Sequence, residues 1–130
     1  MMLEAGDVDG VICGPNGTSR ERILPALEIL KLHRVSGFLF MVLPKTVDAD
    51  AANGGILLFA DCAVNIDPTV EELAEIAIDT ADSAKKFGIE PKVAMISFST
   101  AGSSNDPHAL KMREAAKIAK KLRPDLEIEG

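Results

Sequence analysis

The amino-acid sequence predicts an α/β fold, a three-layer αβα sandwich whose mostly parallel sheet includes one antiparallel hairpin. Three observations carry that expectation. Short aliphatic and β-branched runs alternate with longer stretches of helical periodicity. The segment joining the second and third runs is too short for a helical crossover, so that pair runs antiparallel. Polar loops follow several strands, and open α/β sheets hold their ligands at the carboxyl ends of strands.

Each element has a local reason. Val8–Cys13 (VDGVIC) is β-branched and followed by Gly14-Pro15-Asn16-Gly17, which reads as a buried strand running into a turn. Thr18 or Ser19 then caps a helix from about Arg20 to Leu32, with Ile23, Leu27 and Leu30 on one face. Val35–Leu43 is apolar on both sides, the pattern of a central strand. Pro44–Gly55 is polar and ends in Asn53-Gly54-Gly55, a loop or hairpin signal, before a third strand at Ile56–Ala60. Asp67-Pro68-Thr69 opens the strongest helix. Thr69 caps it, Glu71 and Glu72 suit its positive N-terminal end, and Gly88 closes it. Leu73, Ile76, Ala77, Thr80, Ala81 and Ala84 recur at helical spacing between those caps. Lys92–Phe98 is a fourth strand and Thr100–Asn105 a Gly/Ser-rich loop. Asp106-Pro107 starts a helix that runs to about Leu122, where Arg123-Pro124 breaks it. Leu126–Ile128 begins a last strand, and the chain shows no internal repeat, low-complexity tract or linker.

Composition narrows the function classes. A chain of 130 residues can bury one sizeable core. Its net charge of -6 and its lack of Trp and Tyr argue against nucleic acid, which is held by clustered cations and aromatic platforms. Small phosphate-bearing molecules need only a local donor cluster, so they stay open. The basic residues of Lys111–Arg123 alternate with apolar ones and read as a solvated helix face. The longest apolar run, Phe38–Leu43, is strand-sized, and no basic segment followed by an apolar one opens the chain. Neither a membrane span nor a secretion signal is expected, and a cytoplasmic location is. Cys13 and Cys62 stand without CxxC spacing or a nearby His, which disfavours a metal site and suits a reducing compartment.

Three loops fall where a ligand would bind: Gly14–Ser19, Asp61–Asn65 and Ser97–Ser104. The last combines the hydroxyls of Ser97, Ser99, Thr100 and Ser103 with the backbone of Gly102, between a strand and a helix. That combination suits a phosphate or acyl-phosphate oxygen, and the absence of a following lysine in Walker order rules out a nucleotide P-loop. The competing reading is a polar loop with serine caps. In the second loop, Asp61 could orient a hydroxyl or amide and Cys62 could line a pocket. No His neighbours Cys62 in sequence, so a structural thiol is expected rather than a nucleophile. Asn65 and Asp67 serve the turn and the helix start. The remaining features are bland. Asp7-Val8-Asp9-Gly10 lacks the downstream Glu of a calcium loop, His33 and His108 read as surface residues, and Met41, Met95 and Met112 read as core or helix-face filler.

Several ordered stretches resemble a single family. Phe59–Asn65 (FADCAVN), Pro68-Thr69, Glu71–Ala74 (EELA) and Gly88–Pro91 (GIEP) resemble the middle of phosphate acetyltransferases, or phosphotransacetylases. Those enzymes exchange an acetyl group between phosphate and coenzyme A. Thr18-Ser19 followed by Pro25-Ala26-Leu27 is similar to the family pattern of His-Ser-Thr, five residues, then Pro-Ala-Leu. Two departures stand out. Gly17 occupies the usual histidine position, and Leu24 replaces the arginine that directly precedes the proline. An apolar residue there supplies no charge-assisted hydrogen bond, and Arg20 or Arg22 is the available substitute from the previous turn.

The resemblance implies a division of the chain and a chemistry. Residues 1–34 would be the fringe of the family's N-terminal domain, and residues 35–130 its central α/β domain, incomplete at both ends. In the family a carboxylate takes the proton from the coenzyme A thiol, and the thiolate attacks the acetyl-phosphate carbonyl. An arginine and a hydroxyl hold the phosphate, and no acyl-enzyme forms. The general-base Asp and an adjacent Ser-Arg pair would lie beyond Gly130, so no catalytic residue is expected within the chain and no turnover from it alone. The implied ligands are coenzyme A or acetyl-CoA and acetyl phosphate, with no metal and no cofactor other than coenzyme A as substrate. The implied substrate-binding residues are Thr18, Ser19, Arg20, Asp61, Cys62, Ser97, Ser99, Thr100, Gly102 and Ser103, with Cys62 near the site but not a covalent catalyst. A homodimer paired through the central domain is implied as well. Two other classes stay open: an acetyl-CoA-sensing domain of the kind fused to malic enzymes, and a dimerisation module using the Ala-rich face of the Glu71–Lys86 helix.

Overall fold

Helix capping and alanine spacing account for most of the architecture. The computed structural model describes residues 2–14, 16–31, 35–44, 52–100 and 102–130. His33, the last residue of the expected first long helix (Leu32), and most of the Pro44–Gly55 loop lie outside the described residues. The chain divides into two units, Met1–Val35 and Ser36–Gly130.

The first unit holds a one-turn helix α1 (Met2–Ala5) and helix α2 (Ser19–Leu30). Of the two candidate caps, Thr18 is the one used. Its side chain accepts from the Glu21 N–H at 3.3 Å, and the Glu21 carboxylate accepts from the Thr18 N–H at 2.7 Å. That reciprocal pair satisfies two of the donors every helix start leaves open. Val8–Cys13 does not form the expected strand. β-branched residues favour extended backbone, but a strand also needs a partner, and among the described residues none pairs with this segment. Ile12 is fully exposed as a result.

The second unit contains the core. Strand β1 (Phe38–Val42) pairs antiparallel with β2 (Ile56–Ala60), placing Phe38 opposite Ala60 and Val42 opposite Ile56. The antiparallel expectation for these two runs therefore holds. β1 is not a central strand, however: among the described residues β2 is its only ladder partner, and Leu39, Met41 and Val42 are exposed. Met41 is thus no core filler. Apolarity on both faces signals burial only where a second layer arrives to cover them.

Helix α3 (Val70–Lys86) follows, capped as expected by Thr69 in a second reciprocal box with Glu72. Its C-terminus closes on Gly88, whose φ of +74° is the left-handed conformation that favours glycine. The Gly88 N–H reaches the Lys85 carbonyl and the Ile89 N–H reaches back to the Ala84 carbonyl, both at 3.0 Å, a Schellman closure. Thr69→Ala should cost about 1 kcal/mol, the usual loss for an N-cap hydroxyl, read as a lower urea midpoint at unchanged slope.

Strand β3 (Lys92–Ala94), helix α4 (Pro107–Leu122) and strand β4 (Glu127–Glu129) complete the unit. β3 and β4 pair in parallel, with Val93 beside Ile128. The apolar run predicts a fourth strand as far as Phe98, but the strand stops at Ala94. Met95 still donates to the Glu129 carbonyl at 2.7 Å, after which the partner strand has ended. The described residues therefore hold two small two-stranded sheets, one antiparallel and one parallel, rather than one continuous sheet. The class is α/β, as expected.

The core lies where α3 and α4 meet over β4. Ala74, Ala81, Ala116, Ala119, Leu126 and Ile128 form its buried cluster, with Ile78, Val93, Met95 and Ile118 packed around it. Alanine at the contact lets helix backbones approach more closely than larger side chains would. Beyond the end of α3, Phe87 joins Phe38 and Phe40 in edge-to-face contacts with ring centroids 6.3 and 5.0 Å away.

Arg123, the residue after α4, ties the two helices together. Its Nη1 donates to both Asp82 carboxylate oxygens at 3.0 and 2.9 Å, while Nε and Nη2 donate to Asp125 at 2.8 and 2.9 Å. The Arg123 hydrogen bonds hold the Asp125 carboxyl down at about 2. A carboxyl depressed in the folded state stabilises the fold above its unfolded value of about 4 and loses that contribution as pH falls toward 2. Asp125→Asn should therefore flatten the fall in stability between about pH 4 and pH 2. Melting curves taken across that window check the point.

Candidate functional site

The Ser/Gly loop after β3 is closed by its own side chains. The Ser99 N–H donates to Ser97 Oγ at 3.1 Å, the Thr100 N–H to Ser103 Oγ at 3.2 Å, and the Ser104 N–H to Ser99 Oγ at 3.0 Å. A backbone bond from the Ser103 N–H to the Thr100 carbonyl at 3.0 Å completes the turn. Ser99 Oγ and Ser103 Oγ lie 3.4 Å apart. At the helix entry, Ser104 Oγ accepts from the Asp106 N–H, and Asp106 caps α4 by accepting from the His108 N–H at 2.9 Å. His108 is exposed, as expected. The amides of Ser99, Thr100, Ser103 and Ser104 therefore already have acceptors within the turn. The Ser97 hydroxyl also donates to the Ser99 carbonyl at 3.4 Å, and one of Ser99 and Ser103 donates to the other, so that pair keeps one hydroxyl proton free.

Ser97, Ser99, Thr100 and Gly102 line one cavity of about 650 Å³, together with Met95, Met112, Arg113, Lys120 and Glu129. Ser103 is bonded into the same turn. Met95 and Met112 fit the filler role expected of them: Met95 packs against the core cluster, and Met112 is partly buried. Gly102 has a φ of +81°, and a methyl group built on it would fall 3.2 Å from Arg113 Nη2. Glycine is therefore needed there twice over, for its backbone angle and for the guanidinium against it.

Arg113 is a residue of this cavity that the sequence reading misses. Grouping it with its neighbours on a solvated face holds for Lys117, Lys120 and Lys121 but not for Lys111, Arg113 and Arg123, all partly buried. The available signal is spacing. Arg113 lies four residues after Ala109 and three before Ala116, on the stripe that is otherwise apolar.

Asp61 and Cys62 do not line that cavity. The Asp61 carboxylate accepts from the N–H groups of Ala63, Val64 and Asn65, each at 3.0 Å, and from the Asn65 side-chain amide. Burial opposes its charge, but the donors from Val64, Ala63 and Asn65 together outweigh burial and hold the carboxyl below its ordinary value. Asp61 thus organises the 62–65 turn, and Asn65 serves that turn as expected. Asp67 instead ion-pairs with Lys111 at 2.6 Å. The Cys62 thiol is exposed and lies 3.4 Å from the Phe59 carbonyl. Cys62→Ser should shift stability by less than about 0.5 kcal/mol, as exposed substitutions do, measured by urea unfolding.

In the first unit, Ser19 and Arg22 belong to a separate, mainly apolar cavity of about 620 Å³ with Cys13, Ile23 and Leu30. Thr18 is occupied with capping, Arg20 is exposed, and Leu24 is 42% exposed. Of the two arginines available to replace the charge missing at Leu24, Arg22 is turned to the loop, where its Nη2 donates to the Gly17 carbonyl at 2.8 Å.

Fold and site define an α/β chain with a hydroxyl-lined, guanidinium-bearing cavity at the end of a parallel strand. Residues 1–130 match the family described as Phosphate acetyl/butaryl transferase. The chain belongs to that family. It is 50% identical over 134 residues to a phosphate acetyltransferase of Haemophilus influenzae and 48% identical over 135 residues to one of Clostridium acetobutylicum. Each alignment spans the whole chain, but only 18% and 40% of the respective relatives. Among solved structures, a phosphotransacetylase from Streptococcus pyogenes superposes with a TM-score of 0.83 at 43% identity, over 99% of this chain and 38% of that one. The resemblance read from the FADCAVN, EELA and GIEP stretches is thereby established across the chain. Among the described residues, no helix is long and apolar enough to cross a membrane.

Proposed function

We propose that this chain supplies the phosphate-holding part of a phosphate acyltransferase, which interconverts acetyl-CoA and phosphate with acetyl phosphate and coenzyme A. The observation that carries the proposal is the strand-end cavity lined by Ser97, Ser99, Thr100 and Gly102, in a chain whose full length matches named phosphate acetyltransferases. Hydroxyl protons of that loop donate to the phosphate oxygens and stabilise charge as the acyl–oxygen bond breaks. The coenzyme A thiolate attacks the acetyl carbonyl, and phosphate departs with the bonding electrons. The thiol proton goes to a group other than Asp61, whose carboxylate oxygens are already taken up by four hydrogen bonds. This reading keeps Thr18, Ser19 and Arg20 as substrate-binding residues of the first unit, and Cys62 stays a bystander.

The same reading assigns residues 1–34 to the edge of one domain and 35–130 to the family's central α/β domain, whose complete sheet would form the middle layer of the αβα sandwich. Two copies pair through the central domain, in a cytoplasmic enzyme that needs no cofactor besides its substrate. The names of the matched relatives favour the enzyme over an acetyl-CoA sensor. A chimera tests the proposal. Replacing the matching region of the Clostridium acetobutylicum relative with this chain should retain acetyl-CoA formation from acetyl phosphate, while the 130-residue chain alone should give none. A folded chimera that binds coenzyme A but cannot transfer acetyl from acetyl phosphate would overturn it.

A further inference from the structure

We propose that Arg113, with the Ser99 and Ser103 hydroxyls, forms a phosphoryl-group subsite in which the guanidinium supplies the charge. The inference rests on the anion-holding reading of the same loop and names the residue that makes it work. The turn's amides at Ser99, Thr100 and Ser104 are already spent on serine oxygens, and Ser99 and Ser103 share one hydrogen bond between them, so an entering phosphoryl group meets the one O–H which that pair leaves free. Neutral hydroxyls alone hold a doubly charged group weakly; a cation must share the site. Arg113 is placed to do so. It is partly buried, lines the cavity, and lies against the bare α-carbon of Gly102. Its hydrogen bond to the protein is a long one, Nη2 to the Ser104 carbonyl at 3.4 Å, and among the described residues no carboxylate pairs with it. A guanidinium carries five N–H donors in a planar fork that matches two phosphate oxygens at once, and most of these remain unspent. Lys120 is the second cation lining the cavity and Glu129 a side-chain carboxylate there.

A phosphoryl group could come from acetyl phosphate or from the phosphates of coenzyme A. Titration of the 130-residue chain with inorganic phosphate, acetyl phosphate and 3′,5′-ADP, followed by amide NMR shifts, tests the site and separates the sources. Shifts should concentrate at residues 99–104 and the Arg113 side chain. R113Q should weaken phosphate binding about tenfold to a hundredfold, as loss of a charge-assisted contact does, and R113K should recover part of it. Should R113Q fail to fold, R113K alone decides, because it keeps the charge but loses the fork and should bind several-fold more weakly than the parent. Tighter binding of acetyl phosphate than of 3′,5′-ADP assigns the subsite to the acyl donor, and the reverse assigns it to the coenzyme. Unchanged affinity in a folded R113Q or R113K, or shifts confined to other parts of the chain, overturns the proposal. Arg113-dependent phosphate binding beside an inactive chimera would leave the subsite standing and sink the acyl-transfer reading instead.

Discussion

Ile128→Ala should destabilise the chain by about 2–5 kcal/mol, the range for truncating a fully buried aliphatic side chain. Ile128 is 1% exposed and is the largest fully buried side chain among the described residues. It belongs to one cluster with Ala74, Ala81, Ala116 and Ala119. Those alanines have no side-chain rotamers to change, so any relief must come from Leu126 or from Ile78, Val93, Met95 and Ile118 around the cluster. Urea unfolding with an unchanged slope measures the loss, and a midpoint shift equivalent to less than about 1 kcal/mol would show that Ile128 does not anchor the core.

Ala119→Leu should cost about 1–3 kcal/mol by the opposite route, overpacking. Ala119 is 0% exposed in the seam between α3 and α4, so the added carbons force the helices apart or the leucine off its rotamers. Leucine at exposed Lys121, made as Lys121→Leu, should stay within about 0.5 kcal/mol. Equal effects at both positions would mean that the seam is loosely packed. Circular dichroism melts of the two variants, run side by side, make the comparison.

What can be read from sequence follows how local each determinant is. The Thr18 and Thr69 caps, the Gly88 stop and the Asp106-Pro107 start depend on neighbours within four residues, and all four lie where the sequence puts them. The direction of the hairpin is legible too, because a short connection leaves only one choice. The fates of Val8–Cys13 and of the apolar continuation Met95–Phe98 are not legible, since strand formation depends on a partner that the segment itself does not encode. At the site, the serine loop is visible as a cluster of hydroxyls around Gly102. Its internal bonding is not, because whether Ser103 serves the Thr100 amide or a ligand depends on backbone angles. Arg113 is hidden by its surroundings. In a run of lysines it counts as one more solvated cation, and only its place on the alanine stripe sets it apart.

The alanine seam has a mechanical consequence. Helices separated by longer side chains can slide, because those chains re-rotate to absorb small movements; methyl groups cannot. α4, 16 residues and roughly 24 Å long at 1.5 Å per residue, is thereby held as a stiff rod with the serine turn at one end and the Arg123 clamp at the other. A tilt imposed by a ligand at the proposed Arg113 subsite would be delivered almost whole to the far tip, and the Asp82–Arg123–Asp125 linkage is where it would be felt.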